Sequence, residues 1–229
     1  MDSSGLLEQV NSLRQQGSTP KQIAKALGIR PAEATRLVRA AAAKAPTTEH
    51  PVVGCWLSPG WTVGLTVDGY SDQADRTEGT GSEGLINVLV ARRHRHDKVV
   101  ACGYLIDAYC LGVKNTIGPI HTDDLGLHRL VPQYFQAYEQ EPIPAPIDLA
   151  REVVLGAVDY ARGLGFEPHA DFAEVVDYLG DEKISGAVTF GKDGRPVYIN
   201  GPYDNPDKVI RTLTETAGKG NFDVVIRMG

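Results

Sequence analysis

Through the first forty positions the apolar residues recur at helical spacing. Leu6, Leu7, Val10 and Leu13 fall on one face of a helix that begins after Ser3 and Ser4 and stops at Gly17. Ser18-Thr19-Pro20 then supplies a hydroxyl to cap a second helix and a proline at its first position, where the missing N–H costs nothing. That helix carries Ile23, Ala24 and Leu27 up to Gly28, and Arg30-Pro31 opens a third helix with Ala34, Leu37 and Val38 on its apolar side. Two prolines and two threonines between residues 45 and 51 break the third helix and read as a short hinge. The pattern therefore predicts a helical domain over residues 1–44, a linker over 45–52 and a second domain over 53–229.

Past the hinge the rhythm changes to β-branched runs. Residues 85–93 and 98–105 flank the polar tip His94-Arg95-His96-Asp97 and predict a hairpin, continued through residues 106–112 as bent strand or as the way into a loop. The stretch 69–84 is rich in Gly, Ser, Thr and acids and reads as an exposed loop. Helices are expected near residues 123–140, 148–164 and 171–179. A second hairpin is expected from residues 186–190 and 196–200 around Asp193-Gly194, then a helix from Pro206 and a closing strand over 222–228. This order lacks the regular alternation of a parallel sheet. The expected fold is α+β: a three-helix module followed by a mixed domain with antiparallel hairpins.

Residues 20–39 resemble the twenty-residue helix-turn-helix signature of bacterial repressors, resolvases and the DNA-reading part of sigma factors. Ile23, Leu27, Ile29, Ala34 and Leu37 stand at the buried positions of that family, Ala24 at its small position and Gly28 at its turn. The resemblance implies a DNA-binding protein, a transcriptional regulator, in which the third helix enters the major groove. Arg30, Ala32, Thr35 and Arg36 would then face the bases, with Arg39 one turn on, while Thr19, Lys21 and Gln22 lie by the phosphates at the start of the second helix. A three-helix protein-docking module with a solvated basic face is the alternative. One such module binds weakly alone, so a homodimer is the expected assembly, its contact coming from the body.

Charge sharpens this division. The net charge is −6, yet residues 1–44 hold seven Lys and Arg against three acids, a net of +4, which leaves −10 for the rest. Phosphate contacts need local positive charge whatever the total. The 42% hydrophobic content excludes wholesale disorder. No window is long and apolar enough for a membrane span, and the start has no secretory pattern, so a cytoplasmic protein with no membrane partner is expected. Three cysteines without a C-x-x-C pair encode neither a disulfide framework nor a structural zinc site. No phosphate-loop, dinucleotide or nucleophile-elbow motif is present, and no cofactor is expected; the acidic body leaves room for a small-molecule effector.

Candidate chemistry in the body is sparse. Asp107 and Cys110, with a histidine elsewhere, could serve a cysteine-dependent hydrolase or transferase, the basic head then being a targeting device. A cysteine in an apolar run such as that of Cys110 is more often a small buried hydrophobe, and Asp107 amid apolar neighbours must point to water or find a partner such as Lys114 or Arg92. His94 and His96 offer alternate imidazoles for a metal, though Arg92, Arg93 and Arg95 beside them oppose a cation. His169, with Asp171 two residues on, is a third catalytic candidate, though Asp171 reads more simply as the cap of the following helix and His169 as a surface loop residue. Trp56 and Trp61 read as core anchors or as the walls of a stacking pocket.

Overall fold

The computed structural model describes residues 18–31, 50–70 and 84–227, together with residues 9, 10, 12, 13, 33, 34 and 37. The chain divides into two compact units, residues 1–49 and 50–229.

In the first unit, helix α1 (Pro20–Leu27) is closed at both ends by local chemistry. The Gln22 N–H donates to Thr19 Oγ1, and the Gln22 carboxamide oxygen accepts from the Thr19 N–H at 2.7 Å and its hydroxyl at 2.8 Å, a capping box. At the other end Gly28 turns left-handed at φ 66° and its N–H bonds the Ala24 carbonyl. Backbone at residues 9, 10, 12 and 13 and at 31, 33, 34 and 37 is also helical. Val10, Ile23, Ala24 and Ala34 are buried together, with Leu13, Leu27, Ile29 and Leu37 packed around them. Of the expected three-helix module only α1 is established, and most residues of the expected first and third helices lie outside the described residues.

The second unit is built on one antiparallel sheet. Its strands are β1 (Val52–Leu57), β3 (Leu85–Arg95), β4 (Lys98–Asp107), β5 (Gly112–Asp123) and β6 (Ile143–Ala145), in the order β5-β4-β3-β1-β6. The expected hairpin forms, with Leu85 opposite Asp107 and Arg93 opposite Val99; its strands run further than the tip suggested, and only His96 and Asp97 make the turn. Alternation sends Ile86, Val88 and Val90 of β3 and Val100, Cys102, Tyr104 and Ile106 of β4 to one face. Leu89, Ala91, Val99 and Ala101 take the other.

Helices cover both faces. Helix α2 (Asp124–Tyr134), whose N-cap Asp123 accepts the Gly126 N–H at 2.8 Å, lays Leu127 against the second face, and Phe135 follows. Helix α3 (Ile147–Gly163) buries Leu149, Ala150, Val153, Val154, Ala157, Val158 and Ala161 on the first, a stripe repeating every three to four residues. Gly112 permits this approach: it sits at φ 67°, and a Cβ there would lie 2.9 Å from the Ala157 carbonyl oxygen. A short helix α4 (Phe172–Val175) and a 3-10 turn (Val176–Tyr178) occupy the expected 171–179 segment. Helix α5 (Pro206–Thr216) is capped by Asn205. No helix of the described residues is long and apolar enough to cross a membrane.

The second expected hairpin does not form. The Asp193-Gly194 turn closes a Lys192–Arg195 bridge, but the flanking segments separate. Strand β7 (Val188–Thr189) pairs with β2 (Thr66–Val67), and β8 (Val197–Ile199) pairs in parallel with β9 (Asp223–Val225). The reason is the turn between β4 and β5. The Gly191 N–H donates to the Ala108 carbonyl at 3.0 Å and the Val197 N–H to the Tyr109 carbonyl at 3.2 Å, so each flank bonds that turn instead of the other.

Candidate functional site

The expected nucleic-acid face begins at α1. Lys21, Gln22, Lys25 and Arg30 are exposed around the helix and its turn. Thr19 and Gln22 are committed to the capping box, Pro20 has no N–H and the Ile23 N–H bonds the Thr19 carbonyl, which leaves the Lys21 N–H and the Gln22 carboxamide nitrogen for an anion. Ala32, Thr35, Arg36 and Arg39 lie outside the described residues.

Asp107 and Cys110 do come together, at the turn from β4 to β5, but as a folding device. Asp107 Oδ1 accepts the N–H of Tyr109 at 3.1 Å and of Cys110 at 3.0 Å. Burial pushes its carboxyl up to about 6, against the pull of Lys114 and of those backbone donors. Lys114 itself holds Asp204 at 2.9 Å, and Arg92 is elsewhere. Cys110 is fully buried among Leu164, Tyr198, Val209 and Leu213. Burial, then the Asp107 charge, raises its thiol, and the charged groups acting on it are Asp107, Lys114 and Asp204 with no histidine. A thiol so placed stays protonated and out of reach of a substrate, which removes the Cys110-dependent chemistry. Cys55 and Cys102 are likewise buried, each pushed up to about 12 by desolvation.

The histidines regroup. His94 does not pair with His96, which stands at the hairpin turn with φ 36°. Its ring meets His50 at 4.9 Å and His121 at 6.2 Å between centroids, both edge to face. Burial lowers the His94 imidazole, and His50, Arg95 and His121 lower it further. Among the described residues no group of three His, Cys, Asp or Glu side chains is placed to hold a metal ion.

His169 stands at the rim of a cleft of about 700 Å³ beside α3. Leu155, Val158, Phe172 and Val176 make its floor, and Glu182, Lys183 and Ile184 form a wall. His169 Nδ1 accepts the Asp171 N–H at 3.3 Å, and Asp171 caps α4 by position without a side-chain bond. Trp61 is a core anchor, 1% exposed. Trp56 is half-buried and lines a second cleft of about 540 Å³ with Leu127 and Val131.

The wall of the larger cleft is held by two adjacent charges that the sequence reading did not single out. Arg151 and Glu152 of α3 are 3% and 4% exposed. The Arg151 guanidinium donates twice to the Leu179 carbonyl, at 3.2 and 3.1 Å, and binds Asp148 and Glu182. The Glu152 carboxylate accepts the backbone N–H groups of Ser185, Gly186 at 3.1 Å and Ala187 at 3.2 Å. Burial alone would raise it, yet these donors hold it below its ordinary value. Arg92 joins the set, donating to the carbonyls of Tyr178 at 2.6 Å, Leu179 at 3.3 Å and His50 at 2.8 Å. The signal was present: opposite charges in the middle of an apolar helical stripe, and an arginine in a buried strand run, must find polar partners.

The chain matches no family model, no curated protein and no solved structure.

Proposed function

We propose that the first unit binds double-stranded DNA as a helix-turn-helix and that the second senses an effector and dimerises, making the protein a transcription regulator. The turn after α1 carries this reading. A capped helix ends on a left-handed glycine, and apolar anchors on both sides of it share one small core, which is the arrangement a helix-turn-helix requires. The positive charge of residues 1–44 against an acidic body supports it independently.

In this reading the segment after Gly28 enters the major groove. Arg36 reads a guanine edge, Thr35 and Ala32 meet neighbouring bases, and Arg30 and Arg39 flank them. Lys21, the Gln22 carboxamide and the N-terminus of α1, capped by Thr19, bind phosphate. The effector belongs in the cleft beside α3, whose apolar floor and mixed-charge rim suit a small amphipathic molecule.

Fluorescence anisotropy against selected and random duplexes tests the proposal. Arg36→Ala should relax preference at one base pair at a cost of about 1 to 3 kcal/mol. Lys21→Ala should weaken all duplexes evenly and lower the salt slope by about one. Equal affinity of wild type and both variants for every duplex would overturn it.

A further inference from the structure

We propose that β9 is a self-pairing edge: a second copy of this chain adds its own β9 antiparallel, across a two-fold axis at Val225, and so forms a homodimer. The strand is an apolar run in the open, with Val224 37%, Val225 45% and Ile226 53% exposed. Its inner edge pairs with β8, and among the described residues no strand takes the outer one. Such an edge is a template for another strand.

The hydrogen bonds fix the phase of that template. The Asp223 N–H donates to the Pro196 carbonyl at 2.9 Å, the Val225 carbonyl accepts from the Asn200 N–H at 3.3 Å, and the Arg227 N–H donates to Asn200 Oδ1 at 2.6 Å. Residues 223, 225 and 227 thus turn their peptide groups toward β8, and 224 and 226 between them turn theirs outward. An antiparallel partner must bond to 224 and 226. A two-fold axis at Val225 sets Val224 opposite Ile226 of the second copy, and Ile226 opposite its Val224, each pair exchanging two bonds.

Charge then selects the register. The same axis sets Asp223 opposite Arg227 of the second copy, and symmetry repeats the pair. An axis at Val224 or at Ile226 keeps the hydrogen-bond phase but aligns Asp223 with an uncharged residue and loses both pairs. Asp223 already holds Arg195 at 2.7 Å, so the added guanidinium would leave the carboxylate between two cations. The inference rests on the proposed dimerisation of the second unit and not on DNA binding by the first, and it would supply the second copy that a two-half-site operator needs.

The test uses the full chain. Cys55, Cys102 and Cys110 are all buried, so a cysteine introduced on β9 is the reactive thiol. At Val225 the two copies lie about 4.5 Å apart between Cα atoms, the spacing of a non-hydrogen-bonded pair and within disulfide reach. Under mild oxidation V225C should give a disulfide-linked dimer at least about tenfold faster than V224C, whose copies are offset by two residues. I226P removes an outward N–H that the β8 ladder does not use, so it should keep the native circular dichroism and sediment as a monomer. R227D sets like charges opposite each other twice and should weaken self-association about tenfold. A wild-type chain that sediments as a monomer up to about 100 μM, or a dimer in which V225C crosslinks no faster than V224C, would overturn the proposal.

Discussion

Lys21, Lys25 and Arg30 in the first unit stand in solvent, whereas Arg92, Asp107, Arg151 and Glu152 in the second are almost wholly buried. Among the described residues of the first unit, Val10, Ile23, Ala24 and Ala34 form a small apolar core, and Lys21, Lys25 and Arg30 stay outside it. This unit closes through short-range devices, the capping box of Thr19 and Gln22 and the left-handed Gly28. The second unit has a sheet with helices on both faces and can take charge inside. It uses that charge to fasten segments that have little apolar surface of their own: Arg151 and Arg92 hold the carbonyls after the 3-10 turn, and Glu152 holds the N–H groups of residues 185–187. The contrast separates Lys21, Lys25 and Arg30, which face solvent, from Arg92, Arg151 and Glu152, whose charge is spent on the second unit's own backbone.

The sharpest way to break the comparison is through the smaller core. Ile23 is fully buried, and Ile23→Ala should cost about 3 kcal/mol, most of what a unit of this size can have. Calorimetry should lose the first unit's transition while the second unit's midpoint stays in place. A shifted second midpoint would show that the two units do not melt independently.

Glu152→Ala should act on the other unit alone. It strips three N–H groups of their acceptor and should cost about 2 kcal/mol, a midpoint lowered by roughly 4 to 8 °C, with the first transition unmoved. Because the Glu152 carboxyl is held below its ordinary value, its stabilisation is present above that value and is lost as pH falls through the lowered one.

Asp107 runs the opposite way. Its carboxyl is raised from 3.8 to about 6, so ionising it opposes folding, and stability contributed by the protonated form is lost as pH rises from about 4 through 6. Asp107→Asn keeps an oxygen for the Tyr109 and Cys110 N–H groups but cannot ionise. Its midpoint should gain on that of the wild type between pH 4 and 7, measured by thermal unfolding at each pH. An unchanged difference across that range would show that Asp107 does not titrate there.

The smallest effect sharpens the comparison. Thr19→Ala removes one cap and should cost the first unit about 1 kcal/mol, with loss of helicity at α1 and no change in the second unit. An equal loss in both units would mean that the capping box is not a local device.

The parts legible in the sequence are those closed over short distances. The cap at Thr19, the turn at Gly28, the β3–β4 hairpin and the apolar stripe of α3 all depend on residues within a few turns or one tight loop of each other. Strand β5 escaped because its polar, proline-containing run from Gly112 to Asp123 is an edge strand, where only β4 must match it. Strand β1 escaped because its partner β3 lies beyond the long segment between them. The candidate site divides the same way: the capping residues and the basic face were visible, whereas the anchoring of the cleft wall by Arg151 and Glu152 joins residues some thirty positions apart.

By itself, then, the sequence determined the periods, caps and turns, because these are satisfied by a residue's own neighbours along the chain. Tertiary structure alone decided that Cys110 would be enclosed, that the segments beside Asp193-Gly194 would leave each other for the β4–β5 turn, and that β9 would show its apolar side to solvent. Those outcomes depend on which distant surfaces compete for the same hydrogen bonds and the same buried volume, and no local pattern records that competition.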